Sequence, residues 1–269
     1  VFHHVNGAVI NVADFGDGDH VFVAHGGWVG SWELWQQPFE LMQKDWRCVS
    51  YDHRGSGATW ADVSTITPDT LVDDLMGVLD ALNIERCVLA GESLGGLTCA
   101  TAVRRYPERF DGLVLVDASP RARRESMHPL IDGSRRDFPA TVQWFVDACV
   151  PEKDAEHLKR WGRQILLRAD PEAAARILEC HCEEATTPDF AGIAVATLVL
   201  HGRLDHIIPL ELAEEVARLI PHATMRVLDD AGHVPTVTRP REVVDAINAW
   251  WASVRPSPAK GAADGARAH

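Results

Sequence analysis

Short apolar runs and helical stripes alternate along most of this chain. Residues 8–13 follow a turn at Asn6-Gly7 and put Ala8, Ile10 and Val12 on one face, which predicts a strand. Residues 20–24 (His-Val-Phe-Val-Ala) form a nearly unbroken apolar run, as expected of a strand buried on both faces. Similar runs at 47–51, 86–90, 112–116, 196–200 and 224–228 predict further strands. Between them stand helical patterns. Thr67 reads as an N-cap with Pro68 in the first helical position, and Leu71, Leu75, Val78, Leu79 and Leu82 then keep one face. Residues 94–105, 210–219 and 240–254 predict three more helices. Strands alternating with helices predict an α/β fold whose parallel sheet is covered by helices on both faces.

One stretch breaks the alternation. Residues 121–191 show no strand pattern, while Phe138, Val142, Phe145, Val146 and Cys149 recur at helical spacing, as do Leu158, Trp161 and Ile165. A structureless loop of that length is rare inside a domain. The segment therefore reads as a helical lid over the carboxyl edge of the sheet. The expected organisation is a core of residues 1–120 and 192–255, a lid of 121–191, and a disordered tail of 256–269 rich in Ala, Gly and Pro.

Composition excludes several function classes. The chain has 269 residues, 26 Lys and Arg against 39 Asp and Glu, and a formal charge of −13. That balance argues against nucleic-acid and anionic-lipid partners, which need clustered basic residues. No apolar run approaches the roughly 18 residues of a membrane helix. The opening VFHHVNG has no charged region followed by an apolar one, so no export signal is visible, although no initiator Met is present either. The six cysteines then read as reduced, and the expected compartment is the cytoplasm. Cys180-His181-Cys182 has no second ligand pair at zinc-site spacing, so no metal is expected, and no cofactor motif is present.

The sharpest motif is Gly91-Glu92-Ser93-Leu94-Gly95, directly after a predicted strand and before a predicted helix. That context is what a nucleophile elbow requires: glycines permit the sharp turn and the serine hydroxyl stands at the sheet edge. A serine is a poor nucleophile at neutral pH and needs a base oriented by an acid. The order expected with such an elbow is serine, acid, histidine. Asp205 follows the strand at 196–200 and His233 follows the strand at 224–228, both at strand ends where ligands meet such sheets. Asp117, past the strand at 112–116, is a rival for the acid, with Asp205 preferred. After the strand at 20–24 comes His25-Gly26-Gly27-Trp28. The backbone N–H groups of Gly27 and Leu94 are candidates for an oxyanion hole, since fixed donors stabilise a developing negative oxygen. Trp28 would wall the pocket, and His25 and Glu92 read as structural. The lid aromatics Phe138, Trp144, Phe145 and Trp161 read first as packing. Trp144 and Trp161, with Trp28, are the candidates for binding a bulky apolar or aromatic group.

These pieces, together with Tyr51-Asp52-His53-Arg54-Gly55-Ser56-Gly57, Gly202-Arg203-Leu204-Asp205 and Ala231-Gly232-His233, resemble the α/β-hydrolase superfamily over about residues 5–251. The lid-bearing serine esterases and lactonases, such as enol-lactone hydrolases, look closest. The resemblance implies a mostly parallel eight-stranded sheet with the lid inserted after the sixth strand. It also implies a small-molecule ester or lactone substrate, cleaved by Ser93, His233 and Asp205 through an acyl-enzyme without cofactor or metal. Serine at the elbow departs from the aspartate of dehalogenases and epoxide hydrolases. Gly27-Trp28-Val29-Gly30 departs from the Gly-Pro-Gly loop of carbon–carbon bond hydrolases. That diketone chemistry, a cofactor-free dioxygenase and a ligand-binding receptor remain the alternatives. The substrate itself and the oligomeric state stay open.

Overall fold

The computed structural model describes residues 1–182 and 187–255, so the tail expected at 256–269 lies outside the described residues. The strands are β1 (Phe2–Val5), β2 (Ala8–Phe15), β3 (His20–His25), β4 (Trp46–Tyr51), β5 (Cys87–Glu92), β6 (Phe110–Val116), β7 (Thr197–Gly202) and β8 (Thr224–Leu228). They form one eight-stranded sheet in the order β1-β2-β4-β3-β5-β6-β7-β8. β2 runs antiparallel to β1 and β4, and every later pairing is parallel. The apolar pattern predicts seven of these strands. The missing one, β1, reads Phe-His-His-Val and buries only Val5, too short and too polar for alternation to show.

The helices are α1 (Gln36–Met42), α2 (Pro68–Ala81), α3 (Gly95–Arg105), α4 (Arg124–Arg136), α5 (Phe138–Cys149), α6 (Glu156–Leu166), α7 (Pro171–His181), α8 (Leu210–Leu219), α9 (Pro235–Thr238) and α10 (Pro240–Val254). The start of α2 follows from its sequence. Thr67 Oγ1 accepts the Thr70 N–H at 3.1 Å and Thr70 Oγ1 accepts the Thr67 N–H at 2.9 Å.

Successive strand residues point to opposite faces, so the central strands split between two cores. Phe22, Ala24, Val88, Ala90, Val114 and Val116 pack with Phe39 of α1 and Ile247 and Trp250 of α10. Val23, Leu89, Leu113 and Leu115 pack with Leu75 and Leu79 of α2, Val103 of α3 and Val216 of α8. Burying each such side chain contributes roughly 1.5–3 kcal/mol, which is why the sheet reads as unbroken apolar runs.

Helices α4 to α7 form the lid, inserted between β6 and β7. Their apolar side chains, among them Val142, Phe145, Val146, Ala174 and Leu178, join the core on the α1 and α10 side. The lid is thus packed as a continuation of one core. Among the described residues no helix is long and apolar enough to cross a membrane.

Candidate active site

β5 ends at Glu92, and the chain turns at Ser93 with φ of +53°. That left-handed conformation costs an L-residue about 1–2 kcal/mol. It is held by neighbours: the Ser93 N–H donates to the Val116 carbonyl at 2.8 Å and the Gly96 N–H to the Ser93 carbonyl at 3.0 Å. Glycine is required at 95, because a Cβ there would lie 2.2 Å from the Gly26 carbonyl oxygen.

His233 stands in the loop after β8, with Nε2 2.8 Å from Ser93 Oγ and Nδ1 2.7 Å from Asp205 Oδ2. A carboxylate only accepts, so Nδ1 carries a proton, and in the neutral ring Nε2 is left to accept from the serine. The other oxygen of Asp205 accepts the N–H groups of Ile207 at 2.7 Å and Ile208 at 2.9 Å. Burial works against the His233 cation, but the charge and hydrogen bond of Asp205 outweigh it and raise the imidazole to about 9. Burial also opposes the Asp205 anion, and His233 beside it outweighs that and keeps the carboxyl below its ordinary range.

Asp117 is also fully buried, yet it is bonded elsewhere. Its Oδ1 accepts the Gly202 N–H at 2.8 Å and lies 3.2 Å from His201 Nδ1. His201 Nε2 is 3.0 Å from the Ile208 carbonyl, which only accepts, so Nε2 bears a proton. Burial pushes the Asp117 carboxyl well above and the His201 imidazole below their ordinary values. Asp205, not Asp117, is the carboxylate that bonds His233.

Gly27 lies against the serine: a Cβ there would come 3.0 Å from Ser93 Cβ. Its carbonyl faces away, 3.0 Å from His53 Nε2. The loop carrying His53 is anchored in turn by the buried Arg54–Asp74 ion pair at 2.6 Å. Among the described residues neither the Gly27 nor the Leu94 amide donates to a protein acceptor. Glu92 sits beneath the serine, accepting from Thr236 Oγ1 at 3.1 Å, and burial pushes its carboxyl up to about 7.

Two cavities meet at Ser93. One is almost wholly apolar and is lined by Leu34, Val146, Leu158, Trp161 and Val237. The second is more polar, with Ser119, Ser126 and His206 beside Met127, Leu130 and Trp144. Trp28 and Phe145 border both and so form a septum above the serine. Their rings pack edge-on with centroids 4.9 Å apart, and Trp28 Nε1 donates to the Ala174 carbonyl of α7 at 2.8 Å.

Residues 21–246 match the family described as the alpha/beta hydrolase family. The chain belongs to the alpha/beta hydrolase family. It is 25% identical over 254 residues to 3-oxoadipate enol-lactonase 2 of Acinetobacter baylyi, covering 89% of this chain and 92% of that one. It is 29% identical over 245 residues to the pimeloyl-acyl-carrier-protein methyl ester esterase of Photobacterium profundum, covering 86% and 94%. The crystal structure of the enol-lactonase from Burkholderia xenovorans superposes with a TM-score of 0.87 at 23% identity, over 94% of this chain and all (100%) of that one.

Within this alpha/beta hydrolase, Ser93, Asp205 and His233 come together in one hydrogen-bonded row, with the Gly27 and Leu94 amides beside it. The three tryptophans separate. Trp28 is buried in the septum, Trp161 lines the apolar cavity, and Trp144 is 57% exposed at the edge of the second. Asp117, His201 and Asp205 offer ligand atoms within 4.8 Å of one another. That set fits a cation poorly, because Asp205 is engaged by His233 and two amides and His201 Nε2 by a carbonyl. Sequence reasoning missed the septum role of Phe145 and the buttress of His201. Helical spacing marks Phe145 only as packed, and nothing local marks His201.

Proposed function

We propose that the chain is a serine hydrolase that cleaves a carboxylic ester or lactone through an acyl-enzyme. The observation that carries this reading is the unbroken row Ser93 Oγ–His233–Asp205 at 2.8 and 2.7 Å, lying where two cavities meet. Ser93 attacks the carbonyl carbon as His233 Nε2 takes the hydroxyl proton. The carbonyl oxygen, now negative, receives hydrogen bonds from the Gly27 and Leu94 amides. His233 returns the proton to the leaving oxygen, and in a lactone that oxygen stays tethered to the acyl group. Water, deprotonated by His233, then releases the acid and restores Ser93. Asp205 keeps the imidazole in the working tautomer and stabilises its charged form.

The apolar cavity suits the hydrocarbon part of the substrate, and the cavity with Ser119, Ser126 and His206 suits the more polar part. Trp28 separates the two parts, and Trp144 and Trp161 contact them from the lid. The names of the relatives, a lactonase and a methyl ester esterase, support the same reaction class. A cytoplasmic setting belongs to the same proposal.

The test is covalent labelling with a fluorophosphonate beside hydrolysis of p-nitrophenyl acetate. Wild type labels once at Ser93 and turns over. Ser93→Ala keeps its melting temperature and loses label and turnover, on the order of 10⁴-fold in kcat. Undiminished hydrolysis by Ser93→Ala, or no label on wild type, overturns the serine mechanism.

A further inference from the structure

The apolar cavity at Ser93 shares two lining residues, Leu158 and Trp161, with a groove on the outer face of the molecule. They stand three residues apart on α6 and so lie on one side of that helix. Both are only half-buried, because one side of each meets the cavity and the other meets the groove. The cavity they close is small, about 60 Å³, against about 480 Å³ for the groove outside. The groove is mixed, with Glu33, Gln36, Glu40, His157 and Arg241 beside Leu41 and Pro240.

We infer that Leu158 and Trp161 form a partition that limits the length of the substrate's hydrocarbon chain. This inference rests on the hydrolase reading of Ser93. A chain growing away from the reacting carbonyl fills the apolar cavity and then meets these two side chains. Beyond them lies a groove of mixed lining that would accept a chain end only if the partition were removed. The substrate class is therefore esters or lactones of short hydrocarbon chains, with longer linear chains rejected at α6. This differs from Trp161 as an ordinary contact that strengthens binding of bulky groups.

α6 is tied down by pairs at its edge. Arg163 pairs with Asp147 of α5, and Arg168 just past the helix reaches Glu33 at 2.8 Å and Ser31 at 2.9 Å. These partly exposed pairs tie the helix to α5 and to the segment just before α1. Truncating either partition residue should then join cavity to groove while leaving the triad untouched. Trp161 and Leu158 touch neither Ser93 Oγ nor His233 by hydrogen bond, so Ser93 should stay reactive toward a fluorophosphonate.

The experiment measures kcat/KM for two series, p-nitrophenyl alkanoates from acetate to decanoate and n-alkyl acetates of matching lengths. Wild type, Trp161→Ala and Leu158→Ala are compared, with fluorophosphonate labelling of Ser93 and melting temperature for each. In at least one series the long-to-short ratio should rise by about ten-fold or more in Trp161→Ala, and in the same direction in Leu158→Ala. Ser93 labelling should remain, and the ratio is read whatever the absolute acetate rate of each variant. A ratio unchanged or lowered in both variants, each still labelling at Ser93, overturns the partition and leaves the hydrolase reading standing. Loss of folding in one variant leaves the other to decide. A wild type that neither labels nor hydrolyses any ester defeats the hydrolase reading itself, and the partition falls with it.

Discussion

The backbone N–H of His233 donates to the carbonyl of Cys149 at 2.9 Å, so the last turn of α5 holds this histidine of the candidate site by its main chain. One residue earlier, the Gly232 N–H donates to Glu152 Oε1 at 2.8 Å. The lid is therefore part of what positions His233, as well as a cover over the serine. Removing Glu152 leaves a largely buried N–H without its acceptor, at a cost of about 1–3 kcal/mol. The histidine loop loses a restraint, and small misplacements of a base are expensive in rate. Glu152→Ala should lower kcat by about ten-fold or more at nearly constant KM, while Glu152→Gln, which keeps an accepting oxygen, should restore most of it. Steady-state kinetics of the two variants check this. An effect confined to KM would assign Glu152 to substrate binding instead.

The two buried aspartates should respond differently to amide substitution. Asp205 accepts from His233 Nδ1, whereas Asp117 bonds Gly202 and faces His201. Asp205→Asn puts an amide against the imidazole and favours the wrong tautomer, with a loss of about 10⁴ in kcat expected from the general triad case. Asp117 bonds Gly202 rather than His233, and burial favours its neutral form, so Asp117→Asn should disturb the imidazole far less. It should cost stability through the His201 contact, with a much smaller effect on kcat. Comparing kcat and melting temperature of both variants decides the assignment, and a crippled Asp117→Asn would reverse it.

Much of this site was legible in the chain, and the limits have physical causes. Ser93, Asp205 and His233 each follow an apolar strand, and a parallel sheet brings its strand ends to one edge, so sequence order alone placed them together. Deciding between Asp205 and Asp117 needed distances, because both follow strands. The Cys149–His233 bond joins residues 84 apart through main-chain atoms, which leave no mark on side-chain pattern. The partition residues Leu158 and Trp161 showed only helical spacing, which packing and binding produce alike. β1 escaped because two histidines fill the middle of a four-residue strand.

Activity and stability should run in opposite directions with pH. The His233 imidazole is raised from 6.5 to about 9, because Asp205 favours its cation despite burial. As a base it must be neutral, so kcat/KM should climb with pH and show a midpoint above 6.5. For stability, a raised imidazole contributes fully below its unfolded value near 6.5, and that contribution is lost as pH rises through about 9. The Asp205 carboxyl is lowered, so its contribution persists above its ordinary 3.8 and is lost only as pH falls below that. Rate profiles and melting temperatures from pH 5 to 10 test the pair of slopes. His233→Gln should flatten the alkaline loss of stability. A rate midpoint below 6.5 would contradict the Asp205–His233 coupling.

Trp28 and Trp144 both border the second cavity, yet they should fail in different ways. Trp28 is 4% exposed, bonds the Ala174 carbonyl through Nε1 at 2.8 Å and packs on Phe145. Its loss opens a hole between sheet and lid, and Trp28→Ala should destabilise the fold by about 3–5 kcal/mol. Trp144 is 57% exposed, so Trp144→Ala should change stability by no more than about 0.5 kcal/mol. What Trp144 can lose is contact with a substrate group lying in the second cavity, where removing apolar contact is worth roughly 1–3 kcal/mol. An ester of a bulky aryl alcohol should then lose kcat/KM in Trp144→Ala while the methyl ester of the same acid does not. Melting temperatures and the two rate constants for each variant separate the roles. If Trp144→Ala leaves the aryl-to-methyl ratio unchanged, the exposed ring stands outside the path of the substrate, and selectivity in that cavity rests on Met127, Leu130 and the septum.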